Sequence, residues 1–225
     1  MKLFLKFLIL LHLAFFCICN FSIAQEQSIS IKDSLIKIEK LSDKSKKATG
    51  YLILALNLQA KKLDTTFVFL KRAEILAKEI NSSELLESVN LLYANAENIY
   101  SGNYTSALYH AFDALKYRKI NLDKGYITAL NEKSAFYFKN PHNDIYYQIA
   151  YIYAHLGNKD KCLEYLYKMD PELLNINSAK NSEMTIFTRQ RVIHFVDIYL
   201  LINELDKAQK FLEIGQKINL KYPYL

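Results

Sequence analysis

Residues 144–170 read "DIYYQIAYIYAHLGNKDKCLEYLYKMD", and the spacing of residues in this stretch gives the clearest indication of the fold. Tyr146, Ile149 and Tyr153 are spaced three or four residues apart, so a helix would bring them to one face. Gly157 follows where a tight turn is needed, because glycine adopts positive φ without strain. The segment therefore predicts two amphipathic helices joined by a short turn.

The same organisation recurs along the chain, which predicts an all-α protein of about four helix pairs plus extra helices. With 51% hydrophobic residues, five Gly and three Pro in 225 residues, it is too apolar for a disordered chain and too poor in turn residues for a many-stranded β protein. A leading amphipathic helix is expected within 25–45, and an extra helix at about 124–138. The pairs are predicted at 48–61 with 65–80, 85–100 with 104–119, 144–158 with 160–170, and 186–203 with 205–218.

The first 24 residues have the pattern of a secretory signal peptide. Lys2 and Lys6 precede an apolar run, and Ser22 and Ala24 provide small residues before a cut that would leave Gln25 as the mature N-terminus. The alternative is an uncleaved anchor, since residues 3–23 are about long enough to span a bilayer. An exported protein of the periplasm or cell envelope is expected, with membrane contact only if this segment is retained.

Charge argues against nucleic acid as a partner of this chain. The net charge is +6 at pH 7, and basic and acidic residues are interleaved, as in "KRAEILAKE" at residues 71–79. Such a surface is mixed and solvated, whereas nucleic-acid binding favours a basic stripe.

The helix pairs resemble the tetratricopeptide repeat, whose unit carries W-x2-L-G-x2-Y and then A-x3-F. The corresponding residues in the third pair are Tyr146, Ile149, Ala150 and Tyr153, then Cys162 and Leu166; in the fourth they are Val192, Phe195, Val196 and Tyr199, then Ala208 and Leu212. The resemblance covers residues 46–222 and implies a helical solenoid. Ala107 and Ala208 would give room for close packing, and Leu166 and Leu212 would fill it.

Two departures from the family pattern stand out. Equivalent positions in successive pairs (Ala73, Ala114, Met169 and Gly215) are farther apart than the family period of about 34 residues. The last pair also lacks a polar capping helix after Leu220, which solenoid ends normally need. An irregular helical bundle is the alternative.

The resemblance implies a concave groove lined by the first helix of each pair. Within the third pair, Tyr147, Tyr151 and His155 form a second stripe that would face this groove. The alternative for Tyr147 and Tyr151 is packing against the extra helix at 124–138, under Phe136 and Phe138. The predicted groove residues are Tyr51, Gln59, Leu92, Tyr100, Tyr147, Tyr151, His155, Gln190 and Asp197.

No pattern of catalysis, metal binding or cofactor binding emerges, so a non-enzymatic protein is expected. No two of the five histidines lie three to five residues apart, and the only cysteine after cleavage is Cys162. Cys162 and His155 flank the turn at Gly157 and could pair as thiolate and imidazole. A buried cysteine in the repeat's small-residue position is the expected alternative.

The leading hypothesis is an exported scaffold that binds a protein or peptide partner in its groove, because tyrosine is favoured at binding hot spots. The second is a ligand-sensing domain of a membrane-bound transcriptional regulator or sensor kinase, whose C-terminal part would lie beyond Leu225. The third is an enzyme on a helical toroid.

Overall fold

The computed structural model describes residues 31–125, 143–169 and 186–221. Within these ranges every regular element is a helix and no strand occurs, which confirms the all-α prediction. The last turns of α4 widen into a π-helix at Ala96–Ser101. In chain order the helices are α1 (31–39), α2 (Lys44–Leu58), α3 (Leu63–Glu79), α4 (Ser83–Asn95), α5 (Tyr104–Asp123), α6 (Asn143–His155), α7 (Lys159–Met169), α8 (Ile186–Leu201) and α9 (Leu205–Lys221).

Two predicted segments lie outside the described residues. These are the signal peptide at 1–24 and nearly all of the extra helix at 124–138. Its first two residues, Lys124 and Gly125, form a turn after α5, with φ of 72° at Gly125. Among the helices that the structure describes, none is long and apolar enough to cross a membrane.

Helices that follow each other in the chain pack side by side as antiparallel pairs. The most extensive contacts join α2 to α3, α4 to α5, α6 to α7 and α8 to α9. The first helices of successive pairs also touch, α2 with α4, α4 with α6 and α6 with α8. Each first helix therefore has one face against its own partner and another toward the neighbouring first helices.

Side-chain caps explain where several helices begin. Asp43 Oδ1 accepts hydrogen bonds from the backbone N–H groups of Ser45 at 2.8 Å and Lys46 at 3.1 Å. Ser82 and Asn103 accept in the same way at the starts of α4 and α5. These oxygens satisfy N–H groups that have no partner within the helix.

In the turns inside the pairs, one residue adopts the left-handed backbone conformation. This was predicted for Gly102 (φ 68°) and Gly157 (φ 69°). After Gly157 the next N–H bonds to the carbonyl five residues back, from Asn158 to Tyr153 at 2.9 Å. This bond satisfies a terminal helix carbonyl. After Gly102 the bond reaches six residues back, from Asn103 to Glu97, because the π-helical turn holds one extra residue.

Three groups of buried residues follow one another along the row of pairs: one around α2 and α3, one between α4, α5 and α6, and one between α6, α7, α8 and α9. Ala107, Ala208 and Leu166 are buried, as close packing of the pairs requires. The prediction for Leu212 was wrong, because it is 49% exposed while Phe211 is 3% exposed. Phe211 stacks on Phe195 with centroids 4.9 Å apart and fills the space instead.

A buried polar network joins α4, α5 and α6. The Arg118 guanidinium donates from Nε to Glu87 Oε1 at 2.7 Å, and from Nη1 and Nη2 to both carboxylate oxygens of Asp144 at 3.0 and 3.2 Å. Asn121 donates to the other Glu87 oxygen at 2.7 Å. Arg118 and Glu87 are fully buried, and burial raises the pKa of Glu87 against the attraction of Arg118. The network ties the second pair to the third.

Candidate binding groove

The first helices of the four pairs line a cavity of about 740 Å³, which we call the groove. Fifteen described residues line it, from α2, α4 with its π-helical turn, α6 and α8. They are Thr49, Leu52, Ile53, Leu56, Ser88, Leu91, Leu92, Asn95, Asn98, Ile99, Asp144, Tyr147, Gln148, Tyr151 and Asp197.

The lining residues of α2, α4 and α6 recur with the same helical spacing. Those of α2 are at 49, 52, 53 and 56, those of α4 begin at 88, 91, 92 and 95, and those of α6 are at 144, 147, 148 and 151. Each set has the spacing i, i+3, i+4 and i+7, which is a single stripe along a helix. Most of the groove is thus built from stripes of α2, α4 and α6 that share the same spacing.

The α2 side of the groove is apolar and open to solvent. Ile53 is 54% exposed, Leu56 49% and Ile99 57%. These aliphatic side chains lie together rather than scattered over the surface, and contiguous apolar patches mark interaction sites in soluble proteins.

The α6 side carries aromatic and acidic groups. Tyr147 packs on His194 of α8, with ring centroids 4.0 Å apart, and on Tyr151 at 5.9 Å. Burial first, and the charge of Asp197 second, raise the pKa values of Tyr147 and Tyr151, so both hydroxyls stay protonated at neutral pH. Burial also lowers the pKa of His194, which keeps its imidazole neutral.

The two acidic residues in the groove differ in their partners. Both oxygens of Asp144 accept hydrogen bonds from Arg118, so its charge is balanced from behind. Asp197 is exposed, and no side chain in the described part of the chain forms a hydrogen bond or an ion pair with it. Among the described lining residues, Asp197 is therefore the carboxylate whose charge has no partner.

Two asparagines provide amides at the end of α4. Asn95 donates to Gln59 Oε1 at 3.0 Å. Asn98 is only 6% exposed, and its Oδ1 atom has no hydrogen-bond partner among the described residues. A buried amide oxygen without a donor is costly, so Asn98 is a polar group whose burial destabilises the fold locally.

Of the nine residues predicted for the groove, four line it: Leu92, Tyr147, Tyr151 and Asp197. His155 lies one turn beyond Tyr151, where its ring stacks on Tyr104 with centroids 4.7 Å apart. Gln59 is held at the edge by Asn95. Tyr100 is exposed but does not line the cavity, and the side chain of Gln190 lies outside the described part.

The placement of Tyr51 in the groove was wrong. Tyr51 is 3% exposed and stacks on Phe69, with centroids 5.9 Å apart. Its hydroxyl donates to Glu39 at the end of α1, and the Arg72 guanidinium lies 5.6 Å from its ring. The physical reason is that α1 packs against α2 beside Gly50, which turns this face of α2 into core.

Sequence reasoning missed the aliphatic side of the groove, although a signal was present. In α2 the apolar residues Leu52, Ile53 and Leu56 form a stripe beside the one that packs on α3. A helix that needed only one partner would have one such stripe. The second stripe was therefore readable from spacing alone.

The remaining candidate for catalysis, Cys162, lies in surroundings that favour a structural role. Cys162 is fully buried, and burial raises the pKa of its thiol to about 11, which disfavours a reactive thiolate. No group of three or more His, Cys, Asp or Glu side chains in the described ranges could hold a metal ion.

No protein-family model, curated protein or solved structure matches this chain.

Proposed function

We propose that this chain is an exported, non-enzymatic binding protein with tetratricopeptide-like repeats, whose groove takes a segment of a partner protein. The observation that carries the proposal is the groove itself, in which equally spaced stripes of α2, α4 and α6 leave the aliphatic side chains of Ile53, Leu56 and Ile99 exposed beside aromatic rings. Export rests on the N-terminal pattern, and an intact mass that begins at Gln25 in the secreted material would test it.

The repeat arrangement is supported by the local geometry of the pairs. Gly102, Gly157 and Asn203 take positive φ at the turn inside three pairs. Buried Ala107, Cys162 and Ala208 lie at the corresponding position of the second helices. Small residues at this position allow two helices to approach closely.

A peptide segment suits the groove because the lining extends across three helices. Packed helices lie about 8–10 Å apart, so the stripes of α2 and α6 are about 16–20 Å apart. That distance equals about 12 residues of helix or five to six residues of extended chain. The volume of about 740 Å³ is within the range of sites that bury most of a ligand's surface.

The test is selection of random 12-residue peptides, displayed on phage, against the immobilised full-length chain. Ile53→Glu places a carboxylate in the apolar side of the groove, which should weaken binding of the selected peptides at least about tenfold. Ile75→Glu is the matched control, since Ile75 is 47% exposed on α3 and does not line the groove.

Tyr147→Ala and Tyr151→Ala should also weaken binding while leaving the far-ultraviolet circular dichroism unchanged. Equal loss from Ile53→Glu and Ile75→Glu, or no selectable peptide at all, would contradict the proposed function.

A further inference from the structure

The charges around the groove are one-sided. Asp144 and Asp197 line it, and none of the described lining residues is Lys, Arg or His. Arg118 balances Asp144 from behind, whereas Asp197 is exposed and unpaired within the described part. Among the described lining residues, the charge at the α8 side is therefore the negative charge of Asp197.

Aromatic rings adjoin that charge. Tyr147 and Tyr151 line the groove on α6, and the neutral His194 ring lies against Tyr147 at 4.0 Å. His194 and Asp197 are three residues apart on α8, so both project to the same side of that helix. The influence of Asp197 on the hydroxyls of both tyrosines puts its carboxylate within electrostatic reach of the two rings.

We propose that Asp197, Tyr147 and Tyr151 form a subsite for the ammonium or guanidinium group of a Lys or Arg in the bound segment. This inference rests on the proposed function and adds the chemistry of the partner. A cation is attracted both by the face of an aromatic ring and by a carboxylate.

The occupant that fits is a partner segment with two kinds of side chain. Aliphatic side chains cover Ile53, Leu56 and Ile99 at the α2 side, and one basic side chain meets Asp197 at the other side. A purely apolar ligand would leave Asp197 without a partner.

The experiment uses peptides selected on the full-length wild-type chain and then synthesised with their basic residue or with norleucine in its place. Norleucine keeps the aliphatic stem and removes the charge. On the wild-type chain the basic form should bind about five- to tenfold more tightly than the norleucine form. On the Asp197→Asn variant the two forms should bind equally, which isolates the pairwise interaction. Asp206→Asn removes an exposed carboxylate from α9 and should keep the wild-type ratio.

The outcomes separate the two proposals. Peptides that bind through Ile53 but show no preference for a basic residue would overturn the cation subsite and leave the groove function standing. A preference for Lys or Arg that persists in Asp197→Asn would also overturn it. Failure to select any peptide whose binding Ile53→Glu weakens would instead overturn the groove function.

Discussion

Helix α6 carries tyrosines on two faces, and the two faces meet different surroundings. Tyr146 and Tyr153 lie beside the fully buried Ile149 and pack against Tyr165 of α7. Tyr147 and Tyr151 line the groove with exposed aliphatic side chains across from them. Residue type is the same on both faces, so the difference comes from which neighbouring helix covers each one. The comparison predicts that changes on the covered face act on stability, and changes on the groove face act on binding.

The largest expected effect concerns the buried network that joins α4, α5 and α6. Arg118→Met leaves Glu87 buried without its cation, which should lower the free energy of unfolding by about 3–5 kcal/mol in a urea titration. Lys119→Met, an exposed neighbour, should change it by less than about 0.5 kcal/mol.

The double variant Arg118→Met with Glu87→Met sharpens this result. It replaces the buried ion pair by apolar side chains and should recover much of the loss. If Arg118→Met alone were as stable as the wild type, the network would not contribute to the joint between the second and third pairs.

The second expected effect separates the two faces directly. Ile149→Ala removes a fully buried side chain and should cost about 2–5 kcal/mol of unfolding free energy. Ile53→Ala removes the same atoms from a side chain that is 54% exposed and should cost less than about 1 kcal/mol. Similar losses in both variants, measured by the same urea titration, would mean that the groove face is covered by protein.

The smallest expected effect concerns His194 of α8, whose ring lies against Tyr147 on the groove face of α6. Burial lowers its pKa in the folded state, with Asp197 opposing, so the unfolded chain takes up the proton first as pH falls. Stability from this group is therefore full above a pH of about 6.5 and is lost as pH falls through the lowered folded pKa. His194→Phe, which keeps a ring against Tyr147, should lose less stability between pH 7.5 and 5.5 than the wild type. An equal loss in the two proteins would show that folding does not lower the pKa of His194.

The sequence predicted the helices, the turns at Gly102 and Gly157, and half of the groove's α6 stripe, because these follow from local spacing. It failed for Tyr51 and Leu212, where two adjacent positions were both apolar and only the packing of another helix decided between them. The pairing of Arg118 with Asp144 spans 26 residues and leaves no local pattern. The aliphatic stripe of α2 was visible in the spacing, but its exposure depends on how α2, α4 and α6 are placed in space.

Isoleucine methyl resonances would show most directly whether a peptide binds in the groove, because isoleucines lie both inside and outside it. The wild-type protein with labelled Ile δ1 methyls would be titrated with a selected peptide. Shifts are expected for Ile53 and Ile99, which line the groove, and none for Ile75 and Ile80, which are exposed elsewhere. Shifts confined to Ile75 and Ile80, with Ile53 and Ile99 unchanged, would contradict binding in the groove.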